Sequence, residues 1–295
     1  VMGDLGQPEL LLAKGADEHD FQLRPSQAGA VADAALVVWI GPELTPWLDI
    51  ALDSRPDEAA ALALLDAAGT SLRGYAEGEK TEAGHEEAGH EEAGHEEAGH
   101  EEEGHDHADE DHAAHDHAGH DHDGIDPHAW LDPGNAQVWL GLIAAELSRL
   151  DPENAATYQA NSAAAVERIA ALDAELAAIL APVKDKPLVT FHDAFGYFGD
   201  HYGLTLAGSI ALGDAASPGA ARLAELRAEM ESGAVLCIFP EVQHDPALVT
   251  QMAEGTGARI GGALDPVGSA LDAGPGAYAA LMTGLARTIA DCAGG

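Results

Sequence analysis

The chain has 295 residues, of which 46% are hydrophobic, so it is long enough and apolar enough to form one or two folded domains. It carries 13 basic and 52 acidic residues, a formal net charge of −39 with neutral histidine, and this balance excludes an extended nucleic-acid-binding surface. No apolar run reaches the length that a membrane-spanning helix needs.

The first part of the chain alternates predicted strands with predicted helices. The run from Ala35 to Ile40 is apolar throughout, which is typical of a strand in a sheet covered on both faces. The hydrophobic pattern predicts strands over residues 9–13, 35–40 and 70–73 and helices over residues 25–34, 46–52 and 57–68. This alternation favours a parallel sheet.

Residues 77–123 break the pattern. Pentapeptide repeats such as Glu86–His90 follow one another, and the segment has no apolar residue larger than Ala. Such a composition cannot bury a core, so we predict a mobile loop. Its eleven imidazoles, among many carboxylates, predict several low-affinity zinc positions. The alternative is a solvated linker that arose by repeat expansion. The loop histidines are His85, His90, His95, His100, His105, His107, His112, His115, His117, His120 and His122.

Two helix-start signals follow the loop. Asp132 before Pro133 is typical of an N-cap followed by proline at the first helical position, and Asp151 before Pro152 repeats the signal. The second helix is expected to end at Pro182. About 28 helical residues would span about 42 Å, which is long enough to connect two lobes.

The remaining sequence is a second series of strands and helices. Strands are predicted over residues 187–191, 204–210, 234–239 and 258–264, and helices over residues 194–201, 218–232, 246–255 and 276–293. We therefore predict an α/β fold in which two lobes, each a mainly parallel sheet flanked by helices, are joined by a long rigid helix. The predicted lobes are residues 1–150 and 183–295, with residues 151–182 between them. A cleft between such lobes collects the loops at the strand ends.

Five histidines lie outside the loop, and three of them follow or precede predicted secondary-structure elements. His19 lies in a polar turn, His128 precedes the Asp132 cap, and His192 follows an apolar strand. Loop–element boundaries are where a scaffold directs side chains into a cleft. Two others, His201 and His244, are interpreted as surface or rim residues.

Three imidazoles and one oxygen ligand complete the tetrahedron that zinc prefers. A set rich in imidazole suits Zn²⁺, Cu²⁺ or Ni²⁺ better than Mn²⁺ or Mg²⁺, which prefer carboxylates. Asp265, in the loop after the last predicted strand, is the candidate oxygen ligand. Glu18 and a water molecule are the alternatives.

Four stretches of the sequence resemble the zinc-uptake ABC-transporter substrate-binding proteins. They are GADEHDFQLRPS (Gly15–Ser26), DPHAWLDP (Asp126–Pro133), VTFHDAFGYFGDHYGL (Val189–Leu204) and the region from Cys237 to Gly268. The resemblance implies two α/β lobes joined by a rigid helix and a transported Zn²⁺ ion held in the cleft.

The resemblance also assigns residues. It implies zinc ligands at His19, His128 and His192, with Asp265 a ligand in some members and Glu18 the adjacent acid. Manganese-preferring relatives carry a glutamate where His192 stands, which favours zinc here.

The resemblance implies a disulfide between Cys237 and Cys292; the sequence alone leaves two buried thiols as the alternative. The two positions are 55 apart, so a bond would stabilise the fold by on the order of 4 kcal/mol. The resemblance further implies a periplasmic protein that delivers zinc to an ABC-type permease in the inner membrane, and we expect a monomer that is not an enzyme.

Two departures from the family stand out. The family begins with a further strand and helix, whereas this sequence starts at Val1 near that helix's end and has no signal peptide, so we expect a truncated N-terminus. Val242 and His244 stand where relatives carry proline and an aromatic residue, which places His244 near the cleft. Two other functions remain open: a zinc-dependent hydrolase or lyase, although no HExxH pair is present, and a stand-alone zinc buffer or chaperone.

Overall fold

The computed structural model describes residues 1–16, 18–19, 21–56, 59–75, 124–211 and 218–295. These residues belong to one compact unit. All eleven histidines of the predicted loop lie outside the described residues. Among those described, no helix combines the length and the apolar composition that crossing a membrane requires.

The fold is α/β, as predicted, with two separate parallel sheets flanked by helices. The helices are α1 (Pro25–Asp33), α2 (Pro46–Leu52), α3 (Pro133–Leu150), α4 (Ala155–Leu180), α5 (Gly196–Tyr202), α6 (Ala220–Glu231), α7 (Ala247–Ala253) and α8 (Ala277–Gly294). The strands are β1 (Leu36–Trp39), β2 (Ala60–Ala63), β3 (Leu188–His192), β4 (Leu206–Ala211), β5 (Cys237–Ile238) and β6 (Arg259–Ile260). Strands β1 and β2 form one sheet, and the other has the order β4-β3-β5-β6 with every neighbour parallel.

The long helix is confirmed. Helix α4 has 26 residues, about 39 Å at 1.5 Å per residue, and short 3₁₀ turns extend it at both ends. It packs against both α3 and α8. The predicted cap of α3 is also confirmed, because the Asp132 carboxylate accepts the backbone N–H of Gly134 at 2.7 Å.

Three predicted elements in the first part of the chain are wrong. Residues 60–63 form strand β2 and no helix, because parallel pairing with β1 outweighs the helix propensity of their alanines. Residues 9–13 form no strand; the Leu11 carbonyl accepts the Gln27 amide, not a neighbouring strand. Residues 70–73 form no strand, although Gly74 makes an isolated bridge with Ile125.

Strand β1 differs in burial from the expectation. A sheet covered on both faces would bury both side-chain rows, yet Val38 is 40% exposed while Val37 is buried. In the second sheet, β5 and β6 have only two residues each, shorter than predicted. The sheet therefore depends mainly on β3 and β4, and β3 leads directly to His192.

One buried apolar cluster joins the two halves of the chain. It includes Leu65 after β2, Trp139 on α3, Leu176 on α4, Phe198 on α5 and Met282 on α8. The disulfide is confirmed as well: Cys237 on β5 is bonded to Cys292 on α8, with 6.3 Å between their Cα atoms. Together these contacts fix the segments from which the candidate site is built.

Candidate metal centre

Three histidines from distant parts of the sequence converge at one point. His19, His128 and His192 each offer a ring nitrogen, and these nitrogens all lie within 4.8 Å of one another. The ring centroids are 5.8 Å apart for His19 and His128, 6.3 Å for His19 and His192, and 5.2 Å for His128 and His192. His128 and His192 are buried, and His19 is partly exposed.

The turn that carries His19 is held by neighbouring side chains. The Trp47 indole N–H donates to the Glu18 carbonyl at 2.9 Å, which fixes the backbone next to His19. Gln243 donates to the Ala16 carbonyl at 3.1 Å and to the Glu18 carboxylate at 3.3 Å. A residue from the loop after β5 therefore helps to position the N-terminal turn.

The His128 segment is fixed on both sides. The Trp130 indole N–H donates to the Pro266 carbonyl at 2.8 Å, and the Tyr278 hydroxyl donates to the Trp130 carbonyl at 3.0 Å. Asn135 on α3 donates to the Ala129 carbonyl at 3.1 Å. The sequence before α3 is thus anchored to the C-terminal part of the chain.

Each buried histidine makes two contacts with one buried carboxylate, through its ring Nδ1 and through its backbone N–H. Asp126 Oδ1 lies 2.9 Å from His128 Nδ1 and accepts the backbone N–H of His128 at 3.0 Å. Glu241 Oε2 lies 2.7 Å from His192 Nδ1, and its Oε1 accepts the backbone N–H of His192 at 3.0 Å. A carboxylate on Nδ1 favours the tautomer whose proton is on that nitrogen, which leaves Nε2 with its lone pair.

This tautomer directs both Nε2 lone pairs to one position. His128 Nε2 and His192 Nε2 are 3.4 Å apart. In a tetrahedron with Zn–N bonds of about 2.05 Å, the separation of two ligand nitrogens is about 3.3 Å. The spacing therefore fits two nitrogens bound to a single zinc ion.

The Asp126 carboxyl also forms an ion pair with an arginine. The Arg73 guanidinium bonds Asp126 at 3.2 Å and Asp200 on α5 at 2.9 Å. Burial raises the pKa of Asp126 to about 7, with Asp193 adding to the rise, whereas the His128 backbone N–H and Arg73 oppose it. A cation on His128 would favour the ionised form of Asp126, because opposite charges stabilise each other.

The candidate oxygen ligands differ in their surroundings. Glu18 is buried, and its Oε1 lies 3.6 Å from His19 Nε2. Asp265 is partly buried, and its two oxygens accept the backbone N–H groups of Ser269 and Ala270 at 2.9 and 3.0 Å. The group of possible metal ligands around these three histidines includes neither Glu18 nor Asp265. A ligand role for either acid therefore stays a prediction.

The other two histidines have distinct positions. His201 on α5 bridges Asp132 and Asp173, at 2.9 Å from each, and lies outside the metal groups found in the described residues. His244 lies beside the centre, where its ring stacks on Phe191 at 4.3 Å and its Nε2 is 3.9 Å from Glu241 Oε2. The interpretation of His244 as a rim residue agrees with its partial exposure.

Sequence reasoning missed the two carboxylates that orient the rings. Asp126 stands two residues before His128 in the DPHAW motif, and Glu241 stands three residues after the buried strand β5. An acid at the end of a buried apolar run was the available signal for Glu241. No sequence signal pointed to Arg73. It lies outside the helices and strands and is far in sequence from its partners Asp126 and Asp200.

Comparisons with known proteins agree with this arrangement. A family profile described as "Zinc-uptake complex component A periplasmic" (ZnuA) matches residues 1–292. The high-affinity zinc uptake system protein ZnuA of Paracoccus denitrificans (strain Pd 1222) is 55% identical over 294 residues, which cover 100% of this chain and 87% of that protein. The protein of the same name from Brucella abortus (strain 2308) is 44% identical over 292 residues, covering 99% and 86%.

Solved structures show the same fold. A crystal structure of ZnuA has a TM-score of 0.72 and 24% identity, covering 98% of this chain and 91% of that chain. A ZnuA deletion mutant with zinc bound has a TM-score of 0.71 and 23% identity, covering 99% and 91%. With the profile matched from residue 1 to residue 292 and a relative 55% identical over the whole chain, the protein belongs to the ZnuA family, the periplasmic component A of zinc-uptake complexes.

Proposed function

We propose that this protein captures Zn²⁺ with high affinity outside the cytoplasm and delivers it to an ABC-type permease in the inner membrane. The observation that carries the proposal is the 3.4 Å separation of His128 Nε2 and His192 Nε2, with His19 completing a three-nitrogen set. The names of the relatives, which are zinc uptake proteins, support zinc as the ion and transport as the purpose.

Three imidazoles leave one coordination position for an oxygen ligand. Asp265, Glu18 and water are the candidates, and the surroundings of the two acids support Glu18 or a water molecule. Glu18 Oε1 is 3.6 Å from His19 Nε2, whereas both oxygens of Asp265 already accept backbone N–H groups. Ligation by Asp265 would require the turn at residues 265–270 to give up these bonds.

We further propose that the histidine-rich segment collects zinc at low affinity. The support is its composition alone, since eleven imidazoles occur between His85 and His122. The segment has no apolar side chain larger than Ala that could help to fix the ligands around an ion, so each position should be weak. Deleting residues 82–122 should remove the weak positions and leave one tight site; loss of the tight site would contradict the idea.

Calorimetric titration with Zn²⁺ tests the main proposal. The wild-type chain should bind one ion tightly, and His19→Ala, His128→Ala and His192→Ala should each weaken that binding strongly. His201→Gln is the matched control, because His201 lies on a different set of contacts and should leave the tight site unchanged. Equal behaviour of all four variants would overturn the proposal.

Zinc uptake in cells tests the transport step. Cells that lack the endogenous zinc-binding component but retain its permease should regain uptake with the wild-type chain and not with His128→Ala. Restoration that persists without the permease would favour a stand-alone zinc buffer. Esterase activity of a cobalt-substituted sample would favour the hydrolase alternative, because an open coordination position with an exchangeable water is what such an enzyme needs.

A further inference from the structure

A second group of metal-binding side chains lies beside the three-histidine centre. His192, Glu241 and His244 each offer one ligand atom, and these atoms lie within 4.8 Å of one another. Glu241 Oε2 is 2.7 Å from His192 Nδ1 and 3.9 Å from His244 Nε2. Two imidazoles and one carboxylate form a recognised zinc donor set.

The geometry needs only small adjustments to hold an ion. Ligand atoms around tetrahedral zinc are separated by about 3.3 Å, so each of the two measured distances would change by about 0.6 Å. The His244 ring is oriented by Phe191, on which it stacks at 4.3 Å with 20° between the planes. Its side chain is 36% exposed, whereas that of Glu241 is fully buried, so the group extends from the surface towards the centre.

We propose that His192, Glu241 and His244 form an alternative Zn²⁺ position through which the ion enters and leaves the three-histidine centre. The inference rests on the proposed function, because the two positions share His192. The shared ring also makes them alternatives. A neutral imidazole carries one N–H, which is on Nδ1 when Nε2 binds the central ion.

Transfer of the ion between the positions therefore moves a proton. When Nδ1 of His192 binds zinc at the outer position, its proton has moved to Nε2, and Glu241 exchanges a hydrogen bond for a bond to the metal. If zinc passed to the centre, solvent would carry the proton from Nε2 back to Nδ1, and Glu241 would again accept a hydrogen bond from that N–H.

Crystals of His128→Ala grown with Zn²⁺ locate the outer position directly. The variant disables the centre, so anomalous scattering at the zinc edge should show an ion among His192, Glu241 and His244. In crystals of His128→Ala/His244→Phe that ion should be absent. The inference would be overturned if crystals of His128→Ala held no zinc ion, or held it away from His192, Glu241 and His244. The proposed function is tested separately, by whether His128→Ala loses tight zinc binding.

Exchange rates in the intact centre provide a second test that does not depend on His128→Ala folding. His244→Phe retains an aromatic ring for stacking on Phe191 and should slow both zinc binding and zinc release several-fold, with little change in equilibrium affinity. Stopped-flow tryptophan fluorescence follows the centre, because the Trp130 ring lies 5.1 Å from that of His128.

The control for these rates is Asp245→Asn. It removes a negative charge next to His244, while its amide oxygen can still cap the Ala247 N–H. It should leave both rates unchanged. Unchanged rates in His244→Phe would mean that His244 has no role as a ligand. Equal slowing in Asp245→Asn would mean that general electrostatic attraction explains the exchange.

Discussion

His128 Nε2 lies 3.4 Å from His192 Nε2, and behind each ring a single buried carboxylate holds Nδ1 and the backbone N–H of the same histidine. The two pairs of contacts are alike, although His128 lies before α3 and His192 lies at the end of β3. Both rings are thereby fixed before any ion arrives. Pre-oriented ligands lose little entropy on binding, which favours high affinity.

Because Asp126 contacts His128, we expect a change of Asp126 to weaken zinc binding. Asp126→Asn keeps the shape of the side chain but removes its charge, so zinc affinity should fall by about 10- to 100-fold. Asp200→Asn is the matched control, because Asp200 contacts the same Arg73 guanidinium without touching a histidine. Competition with a chelator of known affinity measures both. A loss of similar size in both variants would assign the effect to Arg73.

The identity of the oxygen ligand predicts a difference between two neutralising substitutions. Glu18→Gln should weaken zinc binding more than Asp265→Asn, because Glu18 is the acid beside His19 Nε2. Asp265→Asn should act mainly on the turn, where the Asp265 carboxylate accepts two backbone N–H groups. The zinc dissociation constant and the urea unfolding midpoint of each variant separate the effects. The reverse order of affinities would make Asp265 the ligand.

The disulfide predicts a large stability difference. Replacing Cys237 and Cys292 by alanine opens a closed loop of 55 positions and should lower the free energy of unfolding by on the order of 4 kcal/mol. Urea unfolding of the wild-type chain and the double variant measures this. A reductant should lower the wild-type midpoint and leave that of the double variant unchanged. Equal midpoints without reductant would contradict the prediction.

His201 predicts a pH-dependent contribution to stability. Its hydrogen bond with Asp132 raises the pKa of His201 to about 9, with Asp173 adding to the rise against the effect of burial. A histidine whose pKa is higher in the folded state stabilises the fold fully below its unfolded value of about 6.5. This contribution fades as the pH rises towards 9 and is lost above it.

The comparison with His201→Gln tests that sign. The free energy of unfolding should differ most between the wild-type chain and the variant near pH 6, and the difference should shrink progressively up to about pH 9.5. The titratable groups around His201 are Asp132 at the cap of α3, Asp173 on α4 and Tyr202 on α5. A difference that grows with pH would contradict the assignment.

The second half of the fold was predictable because its signals are strong and local. Asp132 with Pro133 marks the start of α3, and the apolar periodicity of residues 155–180 specifies α4. Residues 60–63 were not predictable, since alanine and leucine favour a helix and only pairing with β1 makes them a strand. Single-sequence patterns do not contain that long-range partner.

The residues of the candidate centre were likewise predictable only in part. Positions at the boundaries of elements pointed to His19, His128 and His192, and the family resemblance supported them. Asp126 and Glu241 could not be paired with their rings from sequence, because the contact between Glu241 and His192 depends on two strands lying side by side. The register of two parallel strands depends on how they pack in three dimensions, so the spacing of residues along the chain does not predict it.

The disulfide has a consequence for zinc retention. Cys237 begins the strand that leads, four residues later, to Glu241, and its partner Cys292 lies near the end of the last helix. Reduction would let this strand loosen from that helix and would relax the carboxylate that aligns His192. A chain whose Cys237 and Cys292 are reduced should therefore hold zinc less tightly. Oxidative maturation would then decide when the protein becomes competent to compete for scarce metal.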